Sequence, residues 1–307
     1  MSTTHYFRFT AHGADGRQRC GLLERLLARA DGSTEVTDWR ADAFHLIAPP
    51  MMAMPGVAAA ALYAERGPAQ AASAQAASVF LAAPVRYEAE ISNVRLPADG
   101  ILSLHPSEAE ALAVDFNRVW HDAGIHLLAG RRGDLFCLFD QPTVAITCDP
   151  EDVLERHIAD HLPSGAAAPR LRQLMSEIEM WLFEHAVNRT RIAAATPAVN
   201  GLWLWGGGPA LESLPAVDGW TAGDDPFFKA FGTPRGAASG VMAWAAEPGS
   251  AEWREAGAPR LERSVADLAS GRIARLELSA RHRCFSVGAR WSWRFWRRPR
   301  PWWEYFA

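Results

Sequence analysis

"MWLFEHAVNRTRIAAATPAVNGLWLWGGG", residues 180–208, leads from the end of a helix through a polar turn into an aromatic strand and three glycines. Apolar residues recur at helical spacing from Pro169 to about Ala186, which predicts an amphipathic helix. The residues of its apolar face are Leu171, Leu174, Met175, Ile178, Trp181 and Leu182. The run from Leu202 to Trp205 predicts a strand. A helix that leads into a strand is the repeating unit of an α/β protein.

The same alternation continues along the rest of the chain. Apolar or alternating runs predict strands at residues 5–10, 79–81, 87–96, 101–104, 241–245 and 273–278, with a hairpin over 125–140. Helices are predicted at 20–32, 107–124, 150–162 and 252–269. Ser107 and Glu110 have the spacing of a capping box at the start of the second of these helices. This order of elements predicts a mostly parallel sheet covered by helices on both faces.

One segment has the composition of a linker. "GPAQAASAQAAS", residues 67–78, is small, polar and repetitive, which is typical of an exposed loop. It divides an N-terminal α/β region, residues 1–78, from a larger α/β region, residues 79–307. The two regions could also form one continuous domain.

The composition indicates a globular protein with a substantial core. The chain has 307 residues, of which 49% are hydrophobic. Its formal net charge is −4, so the field of the whole molecule does not attract nucleic acid or anionic lipid. We therefore expect neither nucleic acid nor a membrane as the partner. A phosphorylated small molecule or another protein is the expected partner on the separate grounds of the anion-binding residues and the resemblance given below.

The cysteines and the first residues favour the cytoplasm. Cys20, Cys137, Cys148 and Cys284 show no CxxC spacing, which predicts free thiols in a reducing compartment. Residues 1–13 lack the pattern of a secretory signal. The most apolar run, residues 57–63, is shorter than the ~20 residues that span a bilayer.

The opening stretch also contains a candidate anion-binding site. Arginine side chains bind carboxylate and phosphate through two parallel hydrogen bonds, and asparagine can orient an oxygen. Glycines after a strand allow backbone N–H groups to approach a phosphate. The predicted ligand-binding residues are Asn188, Arg189, Arg191, Asn200, Gly206, Gly207 and Gly208. The alternative is a helix cap by Asn188, solvated arginines and a simple glycine turn.

Two other groups of residues could bind a metal ion, although a structural role suits them better. His157 and His161 are four apart on the predicted helix, but the HExxH pattern is absent and a solvated helix face is favoured. Asp224 and Asp225 are more typical of a turn or helix cap than of a metal site. No metal site is assigned from these residues.

The segment from Arg281 to Arg300 is basic and aromatic. It has seven arginines and no acidic residue. Interleaved aromatic rings could stack on nucleic-acid bases. Strand alternation explains the same pattern, with Trp291, Trp293 and Phe295 on one buried face. The net charge favours the strand, so nucleic-acid binding is not expected.

Three segments resemble a known family. "EIEMWLFEHAVNRTR" (177–191), "PAVNGLWLWGGG" (197–208) and "WRFWRRPRP" (293–301) resemble conserved segments of the bacterial RpfE-type regulatory proteins, and the likeness runs from about Ala83 to Pro301. That family is similar to the archaeal-type cofactor-independent phosphoglycerate mutases of the alkaline-phosphatase-like superfamily. The resemblance implies a reduced three-layer α/β/α sandwich. It also implies phosphoryl transfer by a serine or threonine beside two divalent metal ions.

The sequence departs from these enzymes at the positions that hold the metal ions. "HYFRFTAHGADG" (5–16) has no aspartate at the end of the first strand, "EPGSAEW" (247–253) lacks the expected histidine, and "ARHRC" (280–284) leaves His282 without its aspartate. The resemblance with these departures implies a pseudoenzyme with a regulatory or ligand-sensing role and no cofactor. The alternatives are an active manganese- or magnesium-dependent mutase or phosphatase, and a nucleic-acid or partner-binding regulator that uses the basic aromatic segment.

Overall fold

The computed structural model describes residues 3–11, 18–67, 76–91, 93–231, 239–244 and 247–306, with only the backbone of Trp244. The chain forms two compact units. Unit 1 contains Met1–Met54 and Pro215–Ala307, and unit 2 contains Pro55–Leu214. This division does not coincide with the one expected after residue 78. Residues 68–75 of the expected linker lie outside the described residues.

Strands and helices have the following bounds. The strands are β1 (Thr4–Phe9), β2 (Gly32–Glu35), β3 (Ser78–Val85), β4 (Glu88–Ala89), β5 (Val94–Leu96), β6 (Ile125–Ala129), β7 (Leu135–Phe139), β8 (Arg156–His157), β9 (Gly201–Pro209), β10 (Trp220–Gly223), β11 (Gly240–Trp244), β12 (Arg275–Ala280) and β13 (Arg283–Gly288). The helices are α1 (Gly21–Ala28), α2 (Trp39–Ile47), α3 (Val57–Arg66), α4 (Pro106–Trp120), α5 (Ala168–Phe183), α6 (Ala186–Ala193) and α7 (Ala258–Ala269). Short 3-10 helices occupy His121–Ala123, Pro150–Val153, Ala159–His161, Phe228–Ala230, Trp291–Trp293 and Trp302–Tyr305, and a π-helical turn, Trp253–Gly257, leads into α7.

Unit 1 is built on a six-stranded mixed sheet in the order β10-β11-β1-β12-β13-β2. Strands β10, β11, β1 and β12 are parallel, and β13 and β2 add antiparallel. Alternate side chains of β1 point to opposite faces, as strand geometry requires. Phe7 and Phe9 join the core that α1 and α7 complete, whereas Arg8 lies over the ring of Trp39 in α2. The mostly parallel arrangement is confirmed for these four strands, and the three-layer sandwich stays a prediction.

Unit 2 contains two antiparallel sheets. The larger has the order β6-β7-β3-β9, and the smaller has the order β4-β5-β8. Helices α3 and α5 pack against β9, and α4 packs against β6. The predicted hairpin over 125–140 is confirmed as β6 and β7, and the predicted helix from Pro169 is confirmed as α5. No helix of the described residues is long and apolar enough to cross a membrane.

The predicted helix over 150–162 is wrong. A 3-10 turn, Pro150–Val153, ends where Glu155 adopts a left-handed backbone with φ of 64°. The chain then pairs with β5, where His157 lies opposite Arg95. Asp149 caps only that one turn, because pairing with a distant strand replaces the helix. His157 and His161 therefore do not share a helix face.

The capping box of α4 is two residues earlier than expected. Pro106 is the first helical residue, and His105 is the N-cap. Its backbone N–H donates to Oε2 of Glu108 at 2.7 Å, while its Nδ1 accepts from the backbone of Ser107. Proline is favoured at the first helical position because its missing N–H would have no partner there. The Ser107 and Glu110 box was therefore wrong, although the helix itself is confirmed.

The predicted strand from Trp291 to Trp296 is also wrong. Trp291–Trp293 is a 3-10 turn, and the following residues are irregular. Arg294 and Arg297 donate to the backbone carbonyls of Arg29 and Ala30 at the end of α1, at 3.0 and 2.9 Å. Carbonyls at a helix C-terminus lack intrahelical partners and attract cations. These two side chains hold the segment in turns rather than in the sheet.

Candidate functional site

A cleft of about 620 Å³ opens in unit 1 between α7 and the sheet. Strands β1, β10 and β11 supply its floor, α7 supplies a wall, and the turn between α7 and β12 supplies its rim. The residues that line it are His5, Trp220, Thr221, Ala222, Met242, Arg260, Arg263, Ser264, Asp267, Arg272 and Ile273. A volume of this size accommodates a metabolite.

The register of the parallel strands places the floor residues side by side. Gly240 lies opposite both His5 and Trp220 at the amino ends of their strands. A Cβ at Gly240 would lie 1.9 Å from the Trp220 ring, so the glycine lets this ring lie over the strand. The rings of Trp220 and His5 meet edge to face at 5.0 Å. Met242 and Ala222 extend the apolar floor in the next row.

The polar side chains of α7 that line the cleft lie on one face of the helix because of their spacing in the sequence. Arg260, Arg263, Ser264 and Asp267 follow the i, i+3, i+4, i+7 spacing that places side chains on one helical face. After α7 the chain turns at Gly271, which has a positive φ of 74°. This turn brings Nε of Arg272 to 2.7 Å from Oδ1 of Asp267.

A buried hydrogen bond joins the floor to the wall. Nδ1 of His5 lies 2.7 Å from Oγ of Ser264, although the two residues are 259 positions apart in the sequence. Their exposed fractions are only 6% and 2%. The bond satisfies both buried polar groups and fixes the imidazole at the base of the cleft. A hydroxyl beside an imidazole can also exchange a proton with it.

The charge of the cleft favours an anion. Three guanidinium groups and one carboxylate line it, and that carboxylate is already paired with Arg272. The lining therefore has two more guanidinium groups than carboxylates. A guanidinium is a planar fork that matches phosphate and carboxylate. The cleft combines an apolar floor with cationic edges.

The two asparagines of the opening stretch bond to backbone in unit 2. Asn188 is buried, and its Nδ2 donates to the carbonyls of Leu182 and Val199 while its Oδ1 accepts from the Val199 N–H. Asn200 bonds to the backbone of Tyr87 in a similar way. Its Oδ1 accepts from the Tyr87 N–H at 2.7 Å, and its Nδ2 donates to the Tyr87 carbonyl at 2.9 Å. Both amides tie neighbouring segments together.

The two arginines of this stretch differ in exposure. Arg191 is buried and pairs with Glu108 at 2.9 Å. Its Nε donates to the carbonyl of Pro197. Arg189 is exposed, and its Nη1 donates to the carbonyl of Glu184. Among the described residues, neither arginine bonds to the glycines at 206–208. Anion binding by this stretch stays a prediction, and Arg189 is its most accessible group.

The three glycines allow close packing against the start of α3. Gly206 has a positive φ of 64°, and its N–H donates to Oγ1 of Thr147. A Cβ at Gly207 would lie 2.1 Å from the ring of Phe80, and one at Gly208 would lie 2.9 Å from Cα of Gly56. A side chain at either position would collide with this packing. The local reason for the glycines is therefore contact between β9, β3 and α3.

The metal centre implied by the resemblance does not fit the described residues. No group of three His, Cys, Asp or Glu side chains is placed to hold a metal ion within the described ranges. At the carboxyl end of β10, Asp225 already pairs with Arg40 at 2.8 Å and accepts from the N–H groups of Phe227 and Phe228. Asp225 thus stabilises the turn before the 3-10 helix Phe228–Ala230, and a turn is one of the two structural roles expected for it. Of the implied metal positions, residues 12–16 lie outside the described residues.

The cysteines are free thiols. Burial raises the pKa of the Cys137 and Cys284 thiols well above its usual range, and burial raises the pKa of Cys148 to about 12. Burial also raises the pKa of Cys20. Because the thiolate is the nucleophilic form, none of the four is activated for covalent chemistry near neutral pH.

Comparison with known proteins gives partial matches to one class of enzyme. The 2,3-bisphosphoglycerate-independent phosphoglycerate mutase of Methanothrix thermoacetophila is 41% identical over 71 residues, which cover 23% of this chain and 18% of that protein. A probable mutase of the same kind from Geobacter sulfurreducens is 38% identical over 61 residues, covering 20% of this chain and 15% of that protein. No family model matches. The matched region spans less than a fifth of each relative.

Two solved structures align over most of the chain. The cofactor-independent phosphoglycerate mutase of Thermoplasma acidophilum has a TM-score of 0.32 at 13% identity, covering 94% of this chain and 89% of that one. A protein from Pyrococcus horikoshii has a TM-score of 0.34 at 12% identity, covering 94% and 87%. By its own sheets, helices and cleft, the chain is an α/β protein with a cationic cleft. Its sequence is distantly similar to cofactor-independent phosphoglycerate mutases.

Proposed function

We propose that this protein binds a phosphorylated small molecule in the cleft beside α7 and acts as a regulatory or ligand-sensing protein. The observation that carries the proposal is the cleft itself, in which Arg260, Arg263 and Arg272 surround an apolar floor with a buried His5–Ser264 pair at its base. Arg272 is paired with Asp267, so Arg260 and Arg263 supply the guanidinium groups that suit a phosphate or carboxylate. Trp220 and Met242 suit the carbon skeleton of the same molecule.

The guanidinium groups of the cleft, rather than the similarity to phosphoglycerate mutases, support a phosphorylated ligand. We place the protein among the bacterial RpfE-type regulatory proteins as a pseudoenzyme of the cytoplasm that needs no metal cofactor. The substitutions at the metal-binding positions of the related enzymes support this assignment. The cleft also lies at the amino ends of β1, β10 and β11, whereas open α/β sheets generally bind substrates at the carboxyl ends of their strands. A ligand in the cleft would therefore be separate from any inherited catalytic position.

Binding of 3-phosphoglycerate, with inorganic phosphate as the minimal probe, tests the proposal. A ligand that binds only the folded state raises the melting temperature, so a shift is expected without added metal. Arg263→Gln removes a charge-assisted contact worth ~1.5–3 kcal/mol, so it should weaken binding roughly ten- to a hundred-fold in titration calorimetry. Arg260→Gln should have a similar effect.

Arg189→Gln is the matched control, since it removes an exposed arginine from unit 2. We expect unchanged affinity and an unchanged melting temperature for this variant. If Arg189→Gln weakened binding while Arg263→Gln did not, the ligand site would belong to the opening stretch and the cleft would be excluded.

Metal-dependent mutase or phosphatase activity is the competing function, and the local 41% identity to a mutase favours it. We expect no turnover of 3-phosphoglycerate above a no-enzyme control with manganese or magnesium. The reason is that binuclear centres need several carboxylates and imidazoles, which the implied positions lack. Conversion that appears with manganese and disappears on chelation would establish an enzyme instead.

A further inference from the structure

The segment 290–300 displays three large aromatic rings to solvent. Trp293, Phe295 and Trp296 have exposed fractions of 68%, 75% and 65%. Large aromatic groups are normally buried, and adjacent exposed rings mark interaction sites. These rings, with Arg290 and Arg298, are called the aromatic surface below.

The aromatic surface is held in place by anchors that alternate with the rings. Arg294 pairs with Asp31 at 2.5 Å and donates to the carbonyl of Arg29. Arg297 donates to the carbonyl of Ala30 at 2.9 Å. The side chains between and beside these anchors point outward. Because the backbone is fixed, the rings are presented without the entropy cost of ordering a loose segment.

The surroundings of the rings are cationic. Between Glu277 and Glu304 the sequence has seven arginines and no acidic residue, although the whole chain has a net charge of −4. The guanidinium carbon of Arg290 lies 5.7 Å from the centre of the Trp293 ring, which places a cation over an aromatic face. Arg298 is exposed. An anionic partner with flat groups complements this arrangement.

We propose that the aromatic surface binds single-stranded nucleic acid. Unpaired bases stack on exposed aromatic rings, and phosphates bind the arginines beside them; both contacts tolerate any sequence. Residues 290–301 contain no aliphatic side chain, so every exposed apolar group here is a flat ring or a proline. A duplex would hide its base faces from these rings, which is why a single strand is the expected ligand.

Fluorescence anisotropy with a fluorescein-labelled oligothymidylate of about 15 nucleotides tests the proposal on the full chain. We expect binding at low salt that weakens as salt rises, since phosphate contacts release counterions. Trp293→Ala and Trp296→Ala should each weaken binding roughly five- to a hundred-fold through lost stacking. Arg298→Gln should weaken binding and reduce the salt slope by roughly 0.7.

Two matched controls remove exposed groups elsewhere. Phe183→Ala removes a ring that is 84% exposed on α5, and Arg132→Gln removes an exposed arginine of the β6–β7 turn. Both should bind the oligonucleotide like the unchanged protein, and equal melting temperatures would show that all variants are folded. The proposal is overturned by absence of binding at low salt, or by unchanged affinity of both tryptophan variants. Tighter binding to phosphatidylglycerol vesicles or to polyglutamate would overturn it as well, and would assign the surface to a membrane or an acidic protein.

Discussion

Trp302→Ala should lower the free energy of unfolding by about 3–5 kcal/mol, whereas Trp293→Ala should change it by less than about 0.5 kcal/mol. Trp302 has an exposed fraction of 0% and meets Phe9 edge to face at 6.0 Å. Its indole N–H donates to the carbonyl of Gln18 at 3.0 Å, so truncation leaves a cavity and also removes this hydrogen bond. Trp293 fills no such space. Chemical denaturation of both variants measures the difference.

Trp293→Ala is the control for Trp302→Ala, because the two residues have the same side chain and lie nine positions apart. Equal losses for both variants would mean that the Trp293 ring supports the core, as the strand predicted over Trp291 to Trp296 required. In that case the aromatic surface would not exist. A small loss for Trp302→Ala would instead mean that the segment 302–306 is not part of the core of unit 1.

The elements that were predicted correctly are those with long local patterns. Helix α5 repeats its apolar residues over 16 positions, and β1 alternates over a strand that is buried along its full length. Periodicity over this distance determines which face must be covered, so it identifies the element. The shortest elements, such as β8 and β4, are two residues long and are created by pairing alone. No local pattern predicts them.

The errors arose where distant contacts overrode a local pattern. Asp149 and Pro150 are a good helix start, yet pairing with β5 converts the following residues into a strand. Alternating tryptophans are a good strand pattern, yet Arg294 and Arg297 find carbonyls at the end of α1. Neither partner is near in sequence. Local propensity is a weak prior when tertiary contacts compete with it.

The cleft was missed for the same reason. Its defining bond joins His5 to Ser264 across 259 positions, and no motif connects them. One part of the pattern was visible, because Arg260, Arg263, Ser264 and Asp267 share a face of a predicted helix. The sequence does not show which strands this face of the helix packs against. Conversely, Asn188 and Arg191 stood out as polar groups near glycines, but their bonding partners are backbone and Glu108.

The two ends of the parallel strands in unit 1 are occupied in different ways. At the amino ends lies the open cleft with His5 and Trp220. At the carboxyl end of β10, where α/β sheets usually bind ligands, Asp225 is bonded to Arg40 and to two backbone N–H groups. A carboxylate committed in this way stabilises the fold and is not available to a ligand. The Arg40–Asp225 ion pair is therefore the contact to change in order to test whether this end of the sheet has a structural role.

Arg40→Met should lower the free energy of unfolding by about 3–5 kcal/mol, because it leaves the carboxylate of Asp225 buried without its cation. The exposed fractions of the two side chains are 9% and 7%, and Nε and Nη2 of Arg40 both donate to Oδ2 of Asp225, at 3.0 and 2.8 Å. Methionine keeps much of the packing over Trp39, so the loss reports on charge more than on volume.

The double variant Arg40→Met with Asp225→Asn separates these contributions. Asparagine keeps an oxygen for the N–H groups of Phe227 and Phe228 but carries no charge, so the double variant should be more stable than Arg40→Met alone. Arg118→Met is the control for a solvated pair, since Arg118 and its partner Asp115 are 73% and 38% exposed; it should cost no more than about 1 kcal/mol. Urea denaturation of the four proteins, including the unchanged chain, gives the values. If the double variant were no more stable than Arg40→Met, the uncompensated charge would not be the cause of the loss. The guanidinium would then act through its packing against Trp39, and the carboxyl end of β10 would tolerate an unpaired carboxylate.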